Sequence, residues 1–161
     1  MNYLVLSSPI GPLTLASNGK ALCAIQFGNP DQRTDGPFDD VLHMTKTQLC
    51  EYFQRARHIF ELPLEPQGTD FQKQVWRALQ HIPYGKTVSY GHLAASIDRP
   101  KAVRAVGAAN GANPIPIIIP CHRVIGSNGT LTGFGGGLPI KARLLELEGC
   151  RDWQPLLPGL T

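Results

Sequence analysis

No stretch of this chain approaches the roughly 20 apolar residues that cross a bilayer, and its start, Met1-Asn2-Tyr3-Leu4, lacks the basic region of a secretory signal. Both absences point to a soluble, cytoplasmic protein with no membrane partner. Cysteine is scarce and scattered: Cys23, Cys50, Cys121 and Cys150 form no Cys-x-x-Cys pair and share no His-rich spacing. That argues against a zinc site and fits a compartment in which thiols stay reduced. Internal repeats and low-complexity tracts are also missing, so repeat architectures are set aside.

What remains is a chain of 161 residues, 42% hydrophobic, enough for one ordinary core or for two small lobes. Its net charge of +3 is unevenly spread: residues 1–66 carry five Lys/Arg and seven Asp/Glu, whereas residues 67–161 carry ten and five. The second part is therefore the basic one, as a lobe facing a polyanion would be, although an ordinary solvated surface can show as much.

The pattern predicts a mixed α/β (α+β) fold. Tyr3–Leu6, Leu13–Ala16 and Ala21–Phe27 read as three strands, the last two joined by Asn18-Gly19, a strong hairpin signal. After a loop from Gly28 to Gly36, a helix is expected with Leu49, Tyr52, Phe53 and Ala56 on one face. The Pro/Gly-containing run Leu62–Gly68 reads as a linker, dividing a scaffold lobe (1–66) from a second domain (67–161). Thr69 and Gln72 then fit a capping box for a helix with Phe71, Val75, Ala78, Leu79 and Ile82 inward. Tyr90, Leu93, Ala94 and Ile97 mark the next helix, and Pro100 is placed to open another carrying Val103, Val106, Gly107 and Asn110, together a helix-turn-helix. Gly126–Gly129 reads as a turn, Gly133–Gly137 as a flexible loop, and Pro139 and Gly149 bracket a last helix with an irregular tail beyond Cys150.

The run Pro114-Ile-Pro-Ile-Ile-Ile-Pro-Cys121-His122-Arg123-Val124 carries the chemistry. Its prolines restrict φ and its branched residues suit a short buried extended segment, a stiff mount for a thiol. A thiol near pKa 8.5 needs a proton acceptor or a positive field to become nucleophilic. His122 is adjacent, but neighbours on an extended segment point to opposite faces, so a bridging water or a turn at Pro120 is required. Taken by residue type alone, Cys121 reads first as a buried small hydrophobe and His122 as a core histidine.

Pro-Cys-His-Arg-Val resembles the signature of the O6-alkylguanine-DNA alkyltransferases of bacterial type. The resemblance extends from Thr69-Asp70-Phe71-Gln72 through Val88-Ser89-Tyr90, Arg104–Asn110 and Asn113-Pro114 to Leu144-Leu145 and Glu148-Gly149. It implies a ribonuclease H-like amino-terminal lobe and a winged-helix-like lobe holding the helix-turn-helix and the active site. It implies also that Cys121 takes the alkyl group from guanine O6 irreversibly, in one turnover and without a cofactor. His122 backed by Glu148 would receive the thiol proton through water, Tyr90 would polarise the guanine, and Asn113 would be a hinge tying the cysteine segment to the recognition helix.

The implied partner is double-stranded DNA carrying an alkylated guanine, bound through the minor groove by a monomer and with the damaged base flipped out. Arg104 would fill the gap; Lys101, Ala105, Gly107, Ala108 and Arg123 would line the contact with DNA. Val124, Phe134, Gly135 and Gly136 would wall the base pocket, with Phe134 standing where the family commonly has tyrosine. No metal is expected, since the amino-terminal ligands that some members use are missing apart from Cys23. Each residue also has a plainer reading: Tyr90 as core, Asn113 as a turn residue, Glu148 and Arg104 as solvated surface, the small residues as helix packing. A helix-turn-helix damage sensor and a cysteine hydrolase are the rival functions.

Overall fold

The computed structural model describes residues 1–37 and 39–153; Pro155 and Pro158 of the expected irregular tail lie outside them. The described chain divides into two compact units, one of residues 1–67 with Pro114–Pro116, the other of 68–113 and 117–153.

In the first unit, β1 (Asn2–Leu6), β2 (Leu13–Ser17) and β3 (Leu22–Phe27) form an antiparallel sheet in that order. The Asn18-Gly19 turn is built as its residues demand: Gly19 has φ +89°, and Asn18 Oδ1 accepts the amides of Lys20 and Ala21. The outer edge of β3 is not left open. The Leu22 amide donates to the Pro63 carbonyl and the Glu65 amide to the Leu22 carbonyl, a parallel bridge between Leu22 and Leu64, and the Ile25 amide donates to the Pro114 carbonyl at 2.9 Å. Helix α1 (Asp40–Phe53) covers the sheet with Val41, Leu42, Thr45, Gln48, Leu49 and Tyr52 inward, a stripe of period 3.6. It stops sooner than its apolar pattern implied. Arg55 turns left-handed at φ +61°, and the amides of Arg55 and Ala56 close onto the Tyr52 and Glu51 carbonyls, so Ala56 lies beyond the helix.

The second unit opens with α2 (Asp70–Leu79), whose Thr69–Gln72 capping box is complete. Strand β4 (Val88–Ser89) leads directly into α3 (Tyr90–Ser96), and α4 (Val103–Gly111) completes the helix-turn-helix. Trp76 on α2 donates its indole N–H to the Ala109 carbonyl of α4 at 2.8 Å. Pro100 does not open α4. It occupies the second position of a turn closed by the Ala102 amide on the Arg99 carbonyl, where its fixed φ is equally at home, and the helix starts at Val103.

The isoleucine run is not extended either. Ile115, Ile117, Ile118 and Ile119 are buried, but the chain turns repeatedly, with Ile117 in the left-handed region at φ +74°. That is a costly conformation for a β-branched residue. Pro120 (φ −80°, ψ 66°) then centres an inverse γ-turn closed by the Cys121 amide on the Ile119 carbonyl at 2.8 Å. Cys121–Arg123 form one 3-10 turn, followed by β5 (Val124–Ile125), which pairs in parallel with β4: Val88 with Val124, Ser89 with Ile125. Helix α5 (Leu138–Leu147) has Pro139 in its first turn and is followed by Gly149 at φ +72°. Among the described residues no helix is long and apolar enough to cross a membrane.

Asp39 holds the first unit at the start of α1: it is buried, caps the Val41 and Leu42 amides, and accepts from Asn2 Nδ2 and Ser17 Oγ. Asp39→Ala is expected to lower stability by about 2 kcal/mol, the upper range for a lost cap, in urea denaturation monitored by circular dichroism.

Candidate active site

The turn at Pro120 changes the relation of the two adjacent side chains. Because Cys121 and His122 belong to a tight 3-10 turn, they no longer alternate across a strand. Both are buried, Cys121 at 5% exposure and His122 at 0%. Asn113 braces the turn, its Nδ2 donating to the Ile119 carbonyl at 2.8 Å. Burial pushes the Cys121 thiol above its ordinary value, while a hydrogen bond from the Asn113 side chain and the positive charge of Lys141 act in the opposite sense.

Glu148, the residue capping the C-terminus of α5, collects the donors around it. His122 Nε2 lies 2.6 Å from its Oε2, Arg123 reaches Oε1 through Nε at 2.9 Å and Oε2 through Nη2 at 3.1 Å, and the Gly85 amide donates to Oε1 at 3.0 Å. Gly85 has φ +76°, and a Cβ there would stand 3.1 Å from the Glu148 carbonyl oxygen, so both conformation and space favour glycine. Burial works against the Glu148 charge, but the hydrogen bonds from His122 and Arg123, with the charge of Arg123, override it and hold the carboxyl well below the usual carboxylate range. Burial in turn lowers the His122 pKa, only partly offset by Glu148. The resting cluster is thus ionised Glu148, charged Arg123 and neutral His122.

The tautomer follows from the hydrogen bond. An ionised carboxylate only accepts, so Nε2 carries the proton and Nδ1 carries the lone pair. Among the described residues that buried Nδ1 has no hydrogen-bond partner, so its lone pair is available to take a proton.

Arg123 corrects a sequence expectation. It is 6% exposed, bound to Glu148 along its Nε–Nη2 edge, donates Nη1 to the Ile82 carbonyl at 2.7 Å and lies over the Tyr84 ring. A guanidinium buried and paired in this way is not placed on the surface where a phosphate would meet it.

Tyr90 begins α3, half-buried, with its ring against Gly107, whose added Cβ would lie 3.8 Å away. Thr132 Oγ1 donates to the Tyr90 hydroxyl at 3.1 Å. Lys141, wholly buried, donates Nζ to the Val124 carbonyl at 2.6 Å and the Thr132 carbonyl at 2.8 Å. Burial lowers its pKa to about 8, against the opposing pull of Cys121. The Val124 carbonyl therefore already has one of its two lone pairs engaged.

On α4, Arg104, Ala105 and Ala108 are exposed while Val106, Ala109 and Asn110 face inward; Lys101 is exposed in the preceding turn and Gly107 is half-buried. Phe134, Gly135 and Gly136 occupy a turn closed by the Gly137 amide on the Phe134 carbonyl, directly before α5. Among the described residues no group of three or more His, Cys, Asp or Glu could hold a metal ion.

Three contributors escaped sequence reasoning: the structural use of Arg123, the Gly85 amide, and the Thr132–Lys141 pair. Only Lys141 left a signal. It precedes Leu144, Leu145 and Glu148 by three, four and seven residues, so a lysine stands on the buried stripe of α5.

Two families account for almost all of the chain: 6-O-methylguanine DNA methyltransferase, ribonuclease-like domain, matches residues 1–66, and 6-O-methylguanine DNA methyltransferase, DNA binding domain, matches residues 70–150. A methylated-DNA–protein-cysteine methyltransferase of Methanosarcina barkeri is 50% identical over 153 residues, 92% of this chain and 97% of that protein. One of Mycobacterium tuberculosis is 48% identical over 155 residues, 94% of each. The crystal structure of Mycobacterium tuberculosis OGT in complex with DNA superposes with a TM-score of 0.84 at 46% identity, covering 94% of this chain and 97% of that one.

Glu148→Gln leaves Arg123 buried without its counter-charge and is expected to cost about 3–5 kcal/mol at neutral pH. In the native protein acid should act in two stages. His122, with its folded pKa below 6.5, makes the unfolded state bind more protons as pH falls through that value. The Glu148 contribution is complete above 4.5 and is lost as pH falls toward its depressed folded value. Urea denaturation at a series of pH values reads both; a stability that does not change between about pH 7 and pH 3 contradicts the assignment.

Proposed function

Since the chain belongs to the 6-O-methylguanine DNA methyltransferase family, we propose that it repairs DNA by moving the alkyl group of an O6-alkylguanine onto its own Cys121. The observation that carries this reading is the unused Nδ1 of His122, next in sequence to the thiol, with Nε2 locked onto Glu148. The thiol passes its proton through water to Nδ1, and Glu148 with Arg123 supports the imidazolium that forms. The Cys121 sulfur then attacks the alkyl carbon in line. The S–C bond forms as the C–O6 bond breaks, and the electron pair leaves with the guanine. Tyr90 offers its phenol proton toward N3 and so neutralises the departing base; the proton held on His122 then returns through water to the phenolate, so the net transfer is of the thiol proton to guanine.

The product is a thioether, from which water has no labile acyl-type bond to cleave, so each molecule acts once. Neither step requires a cofactor. Asn113 positions the thiol by holding the Ile119 carbonyl that closes the turn.

A base inside a duplex cannot reach a sulfur 5% exposed on a braced turn, so the damaged nucleotide is flipped out, at a cost of a few kcal/mol. The relative from Mycobacterium tuberculosis has been crystallised with DNA, and here α4 presents the face for it. Exposed Ala105 and Ala108, with Gly107, allow close approach in the minor groove, Arg104 fills the gap, and Lys101 meets phosphate. Val124, Phe134, Gly135 and Gly136 wall the pocket, Phe134 by stacking alone. In this reading residues 67–161 bind and react while residues 1–66 serve as scaffold, and the protein works as a cytoplasmic monomer.

Incubation with a duplex oligonucleotide containing O6-methylguanine should add one methyl mass to the protein, located on Cys121 by peptide mass spectrometry. Regeneration of free thiol would favour a hydrolase; no adduct with DNA binding retained would favour a sensor. Cys121→Ala should abolish transfer yet bind the modified duplex normally. Arg104→Ala should weaken that binding by about tenfold, a loss of roughly 1.4 kcal/mol, in fluorescence-anisotropy titrations; unchanged affinity would mark Arg104 as a merely solvated helix residue.

A further inference from the structure

Thr132 is assigned no part in the reaction above, yet it touches the phenol that is to give up a proton. Its Oγ1 donates to the Tyr90 hydroxyl at 3.1 Å, which uses the phenol oxygen as acceptor and leaves the phenol proton for another partner. The Thr132 backbone is held in turn. Lys141 Nζ donates to its carbonyl and to that of Val124, Val124 pairs with Val88, and Val88 stands two residues before Tyr90. The contacts close a ring: Tyr90, Val88, Val124, Lys141, Thr132 and back to Tyr90. A wholly buried ammonium at its centre makes the ring stiff, because releasing either carbonyl would strand a charged donor without water.

We infer that Thr132 is a positioning residue for alkyl transfer, orienting the Tyr90 hydroxyl so that its proton faces the guanine and polarising that O–H bond by donating to its oxygen. The inference rests on the reading of Tyr90 given under Proposed function. A hydrogen bond accepted by a hydroxyl strengthens the one it donates, so the phenol becomes a better proton donor as negative charge reaches the leaving base. No proton leaves Thr132; it remains the donor throughout, and the proton that moves is the one on Tyr90.

The test is the single-turnover rate of methyl transfer from an O6-methylguanine duplex to the full chain, with affinity for that duplex measured in parallel. Thr132→Val keeps the branched shape without the hydroxyl and should slow transfer by about tenfold with affinity unchanged. Thr132→Ser should restore the rate to within about twofold. Thr132→Ala, a second variant without the hydroxyl, should be slowed like the valine variant and serves if that one folds poorly. In a Tyr90→Phe background, Thr132→Val should add nothing further, which a merely structural role would not produce. Transfer by Thr132→Val at or above the native rate while Tyr90→Phe is slow overturns the inference alone. Equal slowing by Thr132→Val with and without the phenol also overturns it, since the residue would then act elsewhere. A native rate in Tyr90→Phe overturns the role of Tyr90 and this inference with it, and absence of any Cys121 adduct in the native protein overturns the function itself.

Discussion

The carboxylate of Glu148 is the interaction on which the reactive segment depends. It lies at the C-terminal end of α5, where the helix dipole disfavours negative charge, and it is buried, where solvation gives no help. It survives as an anion because Arg123 supplies a full opposite charge and Gly85 and His122 supply further donors. One ionised group therefore joins the 3-10 turn, the loop before β4 and the last helix. A neutral residue of the same shape would satisfy some of those donors but leave the guanidinium uncompensated.

That charge pairing also sets the chemistry of the histidine. In a dyad of His and carboxylate alone, the anion would raise the imidazole pKa; here burial overrides that effect, and the charges of Arg123 and Lys141 add to the lowering. The thiol beside it is likewise held in its protonated form by burial. Proton transfer from one to the other creates charge in a buried site, which is unfavourable until the nucleophile has a carbon to attack. A protein used once gains from such restraint, because a permanently ionised sulfur would be consumed by any small electrophile.

Much of the fold was legible in short-range patterns. The Asn18-Gly19 hairpin, the Thr69–Gln72 capping box and the Pro139–Gly149 brackets of α5 each state their structure within a few residues. The errors share a cause. Pro100 satisfies a helix start and a turn equally well, and only the backbone path through Lys101 and Ala102 decides between them. Four isoleucines suit a buried strand by composition, but three prolines deny that strand its ladder donors, and the chain folds into turns, with Ile117 left-handed. Ala56 continued an apolar period that the left-handed Arg55 had already ended.

At the site, the sequence alone determined the candidate nucleophile, its neighbouring imidazole and the order of the elements around them, because those depend on residue identity and near spacing. Tertiary structure decided which way each charged group faces. Arg123 turns inward to a carboxylate 25 residues away, Gly85 donates across 63, and Thr132 meets Tyr90 across 42. Hydrogen bonds of that span exist only after loops close and water is expelled, and no local propensity encodes them. A basic residue beside the reactive cysteine was visible from the start; that it serves the protein's own carboxylate rather than a phosphate was settled only by burial.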